Sequence, residues 1–169
     1  MFEKLFTQEQ LKTRIAELGK EVSAKFRGEE VTFICILKGS MIFCSDLMRE
    51  MTVPLEVDFI TASSYEGTNS TGEVNIKFEF TKSLKGKNIL VVEDIVDTGL
   101  TIKETMAALK KLEPKTLGLV SLLSKPSRRE HEVAIDYLGF EIEDHFVIGY
   151  GLDLDQKYRE LPYIGLYKS

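Results

Sequence analysis

Val91-Val92-Glu93-Asp94-Ile95-Val96-Asp97-Thr98-Gly99-Leu100-Thr101 follows the apolar pair Ile89-Leu90 near the middle of the chain. The run from Ile89 to Val92 is short, apolar and rich in β-branched residues, as a strand buried on both faces of a parallel sheet tends to be. Beyond Thr101, apolar residues recur at Ile102, Met106, Leu109 and Leu112, which is one face of a helix. The stretch therefore reads as strand, polar loop, helix. In an open α/β sheet that junction is where ligands bind.

The flanking segments repeat the alternation. Thr7-Gln8-Glu9-Gln10 fits a capping box and Phe6 with Leu11 fits a hydrophobic staple, so a helix is predicted to start there, burying Leu11, Ile15, Leu18, Val22 and Phe26 and ending near Gly28. Val31 to Leu37 reads as a strand, Lys38-Gly39-Ser40 as a loop and Met41 to Met51 as a helix. Pro54 opens a further strand, Leu55 to Thr61. The polar run 62–73 follows, and then Val74, Ile76, Phe78 and Phe80 alternate with polar positions, as in a strand with one wet face. The pair predicts an antiparallel hairpin whose long tip acts as a lid. After Pro114, Thr116 to Leu123 reads as a buried strand reached by a parallel crossover. Shorter segments at Ile135–Ile142, Phe146–Tyr150 and Ile164–Tyr167 read as a small appended subdomain, mainly from about residue 128 to 169, to which the N-terminus can contribute. The predicted fold class is thus α/β, a mainly parallel twisted sheet flanked by helices within one domain of 169 residues.

Composition narrows the function. The net charge of -5 and the pI near 5.2 argue against a nucleic-acid surface, which needs a clustered basic face. The first residues lack an apolar signal core, and no run approaches the roughly 20 apolar residues of a membrane span. The expectation is a cytoplasmic protein without nucleic-acid or membrane partners. Cys35 and Cys44 sit in apolar surroundings without zinc-ligand spacing and read as reduced core residues. His131 and His145 are isolated and are assigned no chemistry.

The central loop carries the chemistry. Backbone N–H groups of Thr98, Gly99, Leu100 and Thr101 at a helix start make an anion site that suits a phosphate monoester. The carboxylates upstream can accept hydrogen bonds from sugar hydroxyls or ligate Mg²⁺. Together they describe a phosphorylated sugar. Taken singly, Glu93, Asp94, Asp97 or Thr98 reads equally as a helix cap or a solvated side chain. Lys125, before a proline, reads as a turn lysine, and Phe146 and Val147 read as core. Asp153 and Asp155 face the same way if extended. Lys38 stands at the ligand edge of the sheet.

The stretch Val91 to Thr101 closely resembles the phosphoribosyl-diphosphate (PRPP) motif of the type I phosphoribosyltransferases. Leu37-Lys38-Gly39-Ser40 resembles that family's diphosphate loop, and Ser63-Ser64-Tyr65 its flexible catalytic loop. Leu123-Ser124-Lys125, Phe146 to Asp153 and Arg159 resemble the site of its 6-oxopurine branch. The resemblance spans nearly the whole chain and implies that family's fold, with a C-terminal hood. It implies transfer of the 5-phosphoribosyl group from PRPP to N9 of hypoxanthine or guanine, in a homodimer or homotetramer. The alternative is a non-catalytic PRPP- or nucleotide-binding regulator.

By the same resemblance, Asp97 to Thr101 hold the 5'-phosphate, Glu93 and Asp94 hold the ribose hydroxyls and a Mg²⁺, and Asp97 is the catalytic base. Lys38, Gly39 and Arg159 bind diphosphate, with a cis peptide at Leu37-Lys38. Lys125 donates to the purine 6-oxo group, Phe146 stacks on the base, the Val147 backbone reads its edge, and Asp153 lines the purine site and anchors a second Mg²⁺. Ser64 and Tyr65 belong to the mobile loop.

Overall fold

The computed structural model describes residues 2–64, 74–78, 80 and 82–168. In chain order the elements are β1 (Glu3–Phe6), α1 (Gln8–Lys25), β2 (Val31–Leu37), α2 (Met41–Arg49), β3 (Leu55–Ser64), β4 (Val74–Lys77), β5 (Asn88–Val96), α3 (Leu100–Lys110), β6 (Thr116–Ser124), a 3₁₀ turn (Pro126–Arg128), β7 (Tyr137–Glu141), β8 (Val147–Ile148) and β9 (Ile164–Leu166). They build two sheets. The larger has the order β4-β3-β2-β5-β6-β7, parallel except for the antiparallel edge strand β4, and the smaller has the order β1-β9-β8.

Local sequence explains the well-predicted elements. Thr7 Oγ1 accepts the Gln10 N–H at 3.2 Å while Gln10 Oε1 accepts the Thr7 N–H at 2.8 Å, which satisfies two donors at the start of α1. The helix then buries Leu11, Ile15, Leu18 and Val22 at helical spacing. In the central strands, period-two alternation divides the core. Phe33, Cys35, Leu90, Val92, Val120 and Leu122 pack with α1 and α2, whereas Ile34, Ile36, Ile89, Val91 and Leu119 pack with Ile102 and Leu109 of α3. Each fully buried Leu, Ile or Phe contributes about 1.5–3 kcal/mol, so both helical layers are held firmly on the sheet.

Several boundaries differ from the sequence reading. The strand at the centre runs to Val96, so Glu93 and Asp94 belong to β5 itself and the polar loop starts only at Asp97. Parallel pairing with β6 continues through Ile95↔Leu123 and Val96↔Ser124, and this pairing holds the acidic residues extended. Helix α2 stops at Arg49, because the Glu50 and Met51 N–H groups turn back to the carbonyls of Leu47 and Met48.

The hairpin is antiparallel, pairing Thr61↔Lys77 and Ser64↔Val74. Ser64 is the last residue of β3, while Tyr65 and residues 66–73 of the expected lid lie outside the described residues.

The tail is divided differently from the expectation. Strand β7 joins the large sheet beside β6, with Val120↔Tyr137 and Ser124↔Glu141 paired, so residues 137–141 do not belong to a hood. Phe140 stacks on Phe6 with centroids 4.1 Å apart, and Arg14 donates to the carbonyls of Leu138 (2.8 Å) and Gly139 (3.2 Å), which covers this edge. The small sheet, called the hood below, takes its third strand from the N-terminus: Glu3↔Leu166 and Phe6↔Ile164 pair antiparallel.

Candidate active site

Strands β2, β5 and β6 are adjacent and parallel, so the residues just past their ends, Lys38, Asp97 and Lys125, fall along one edge of the sheet. β2 is flanked by β3 on one side and β5 on the other, so the winding reverses there; ligands of open α/β sheets bind in the crevice outside such a reversal. A cavity of about 300 Å³ occupies that place, with Lys38, Gly39, Glu93, Asp94, Asp97, Thr98, Gly99, Thr101, Asp153 and Arg159 in its wall. The Leu37-Lys38 peptide is cis.

The floor is an acid pair, Glu93 buried and Asp94 partly buried. Glu93 is 7% exposed, and its Oε1 accepts the Asp94 N–H at 3.0 Å. Burial, reinforced by the neighbouring Asp94 charge, pushes the Glu93 carboxyl well above its ordinary value. Burial also raises Asp94, against the effect of hydrogen bonds from Ile95 N–H (2.7 Å) and others and of the Arg159 charge. Gly39 crosses directly over this pair: a Cβ there would lie 1.6 Å from an Asp94 carboxylate oxygen. No larger residue fits between the loop and the acid.

The anion end is an uncapped helix start. Gly99, at φ 89°, takes the N-cap position of α3 without a side-chain cap, and Thr98 Oγ1 is 3.5 Å from the Leu100 N–H. Thr98 Oγ1 thus makes one long contact to the first turn, and Gly99 itself caps nothing, which leaves an end of the kind that attracts anions. The loop is clamped from behind. Thr98 O accepts from the N–H groups of Glu130 (3.0 Å) and His131 (2.9 Å), and a Cβ on Gly99 would meet the His131 carbonyl at 2.5 Å. Arg129 donates to Asp97 O (3.1 Å), Val96 O (3.3 Å) and Ser124 Oγ (2.8 Å).

A second group lies beside the cavity and meets it at Asp97. Lys125 is only 7% exposed, which removes the solvated-turn reading; its Nζ stands 3.5 Å from Asp144 Oδ1 and 3.9 Å from Asp97 Oδ2. Phe146 is 51% exposed, in edge contact with Tyr167, so it is not a core residue, whereas the Val147 side chain is buried in β8. Arg159 Nη2 pairs with Asp153 Oδ1 at 2.9 Å, and Asp153 also accepts the Gln156 N–H. Asp153 faces the cavity and Asp155 does not line it. Leu100 also does not line it, although its N–H belongs to the first turn of α3.

Two sets of oxygen donors are present for a cation, the Glu93–Asp94 pair and Asp153. Among the described residues, no group of three or more His, Cys, Asp or Glu side chains converges as a ready metal site. The sequence reading overlooked Arg128, Arg129 and Asp144. The signal for the arginines was present: a basic pair one residue beyond Lys125-Pro126, at the carboxyl edge of β6.

A doubly wound sheet with an open helix N-terminus and an acid pair at its switch point defines an α/β protein built to hold an anionic, hydroxylated ligand. Residues 2–155 match the phosphoribosyl transferase domain family, and the chain belongs to that family. Among curated proteins it is similar to the hypoxanthine phosphoribosyltransferase of Salmonella typhimurium, 45% identical over 96% of this chain and 93% of that one. It is also similar to the hypoxanthine-guanine phosphoribosyltransferase of Mycobacterium avium, 42% identical over 95% and 83%. Among solved structures, a hypoxanthine-guanine phosphoribosyltransferase from Bacillus anthracis superposes with a TM-score of 0.94 at 39% identity, covering 99% of this chain and 100% of that one. The fold is the type I phosphoribosyltransferase fold.

Proposed function

We propose that the protein is a purine salvage enzyme that transfers the 5-phosphoribosyl group of PRPP to N9 of hypoxanthine or guanine, giving the nucleoside monophosphate and diphosphate. The observation that carries this reading is Asp97, which stands where the anion loop, the acid pair and Lys125 meet. A phosphosugar on one side and a base on the other then share one carboxylate.

In this reading the 5'-phosphate sits on the N–H groups of Thr98 to Thr101, and Glu93 and Asp94 accept from the ribose hydroxyls. Lys38, Gly39 and Arg159 hold the diphosphate. Purine N9 bonds to the anomeric carbon, with inversion, as the bond to the diphosphate oxygen breaks and its electron pair departs with the diphosphate. Asp97 takes the proton released from purine N7. Lys125 donates to the 6-oxo group, Phe146 offers its exposed face for stacking, and the Val147 backbone reads the purine edge.

Mg²⁺ suits the donors present, because burial disfavours the charged Glu93–Asp94 pair until a cation arrives. Glu93 and Asp94 would hold one ion and Asp153 a second; when bound, they supply charge neutralisation for the departing diphosphate.

Self-association as a homodimer or homotetramer is what the family resemblance implies; Met41 and Met48, seven residues apart on α2 and both exposed, are apolar side chains that such an interface could cover. A cytoplasmic location is supported by the free thiols Cys35 and Cys44. Among the described residues no helix is long and apolar enough to cross a membrane.

The test is diphosphate release with PRPP, Mg²⁺ and each of hypoxanthine, guanine, xanthine, adenine and uracil. Turnover with hypoxanthine or guanine and not with adenine or uracil is expected. Silence with all five would sink the enzymatic reading and leave a binding protein.

A further inference from the structure

Tyr150 sits in the turn that leaves the hood strand β8, 5% exposed and at φ 52°, a left-handed conformation that a tyrosine keeps only where its surroundings enforce it. Its backbone N–H donates to Leu161 O at 2.8 Å, and the next residue, Gly151, donates to Arg159 O at 2.9 Å. The side chain goes elsewhere. Its hydroxyl donates to Asp46 Oδ2 on α2, 104 residues earlier.

The Tyr150 ring packs in the core that α1 and α2 share with the sheet. A cavity of about 400 Å³ borders the pair, walled in part by Ile42, Asp46, Arg49, Tyr150 and Leu161. Burial and the Asp46 carboxylate push the Tyr150 hydroxyl up, so it remains a proton donor at any physiological pH.

What the bond joins is informative. Helix α2 begins directly after the Lys38-Gly39-Ser40 loop, and the Met41 N–H closes back on Lys38 O at 3.2 Å, so loop and helix move together. On the other partner, Gly151 lies against that same loop: a Cβ on it would be 2.1 Å from Gly39 O. The Gly151 carbonyl in turn accepts from Arg159 Nη1 at 2.7 Å. The Tyr150–Asp46 bond therefore spans the seam between the loop bearing Lys38 and the turn bearing Asp153 and Arg159.

We propose that Tyr150, through Asp46 and Gly151, is a positioning residue that sets the spacing between the Lys38-Gly39 loop and the Asp153–Arg159 arm, and so the affinity for diphosphate. The proposal rests on the assignment of Lys38, Gly39 and Arg159 to diphosphate.

The test uses Tyr150→Phe, which keeps the ring, Asp46→Ala, which removes the acceptor, the double variant, and Lys38→Ala as a reference. Affinity for Mg-diphosphate is measured by calorimetric titration, with KM for PRPP and hypoxanthine and the melting temperature alongside. Each single variant is expected to weaken diphosphate binding and raise the PRPP KM by about 3- to 30-fold, with hypoxanthine KM changed less than about twofold. The double variant should be no worse than the stronger single, because both remove one bond.

A lower melting temperature with unchanged diphosphate affinity in Tyr150→Phe and Asp46→Ala would overturn the proposal. If Lys38→Ala weakens diphosphate and neither of those variants does, the loop assignment stands and only the role of Tyr150 falls. If Lys38→Ala leaves diphosphate binding intact, the loop assignment itself fails and takes the proposal with it. Should Tyr150→Phe not fold, Asp46→Ala, altered at a partly exposed helix position, decides alone.

Discussion

Arg128 Nε stands 3.1 Å from Asp97 Oδ1, while Lys125 approaches the other oxygen of the same carboxylate at 3.9 Å. Arg128 is about half exposed and also lies 3.8 Å from Asp144, so its pairing with Asp97 is screened by solvent and weak. Asp97 is therefore held by two cations of unequal weight. Asp97→Asn is expected to cut turnover by roughly 10²- to 10⁴-fold with PRPP affinity similar, and Arg128→Ala to change it by less than about tenfold. Steady-state kinetics with a PRPP titration checks both. Near-normal turnover in Asp97→Asn removes Asp97 from the role of base.

Lys125 makes a separate prediction, because it is buried and its charge can be directed at a base. Lys125→Ala should weaken purine binding by about 10- to 100-fold, the range for a lost hydrogen bond involving a charged group. PRPP binding should fall much less. Equal losses for both ligands, measured by titration, would contradict its placement at the 6-oxo group.

The acid pair predicts a dependence of stability on pH. Burial raises the Glu93 carboxyl above its ordinary value of 4.5, so below about pH 4.5 it is neutral in both folded and unfolded chains and costs nothing. As pH rises, the unfolded chain ionises first, and stability falls until pH has passed the raised folded value. Glu93→Gln removes this loss. Without ligand or Mg²⁺, its melting temperature should match the parent near pH 4 and exceed it by pH 8; a constant difference across that range would refute the assignment.

Gly99 carries a conformational prediction. A side chain there is opposed twice, by φ 89° and by the His131 carbonyl 2.5 Å from the Cβ position. Gly99→Ala should cost roughly 1–3 kcal/mol of stability. It should also weaken PRPP binding more than purine binding, since the displaced segment is the anion loop. Thermal melts and PRPP titration together check this, and an unchanged melting temperature would show that the loop accommodates the methyl group.

Local signals made much of the scaffold legible. The capping box at Thr7 and Gln10, the stripe from Leu11 to Val22 and the apolar runs of β2, β5 and β6 each declare their element within one window of sequence. Strand ends were less legible. Glu93 and Asp94 look like loop residues by polarity, and only pairing with β6 shows that the strand continues beneath them. Strand β7 was misplaced for the same reason: a five-residue segment between turns carries no sign of which sheet it will join.

By itself, then, the sequence determined which segments are helices and strands and where the chemically distinctive loops fall, because periodicity, caps and glycines act over a few residues. It also carried the family pattern that pointed to Lys38, Asp97, Lys125 and Arg159. Tertiary structure alone decided that Lys38, Asp97 and Lys125 share one sheet edge, that Lys125 is buried beside Asp97, and that Tyr150 reaches Asp46 across the seam. The physical reason is range. Burial, ion pairing and strand order depend on contacts between residues tens of positions apart, which no local window contains.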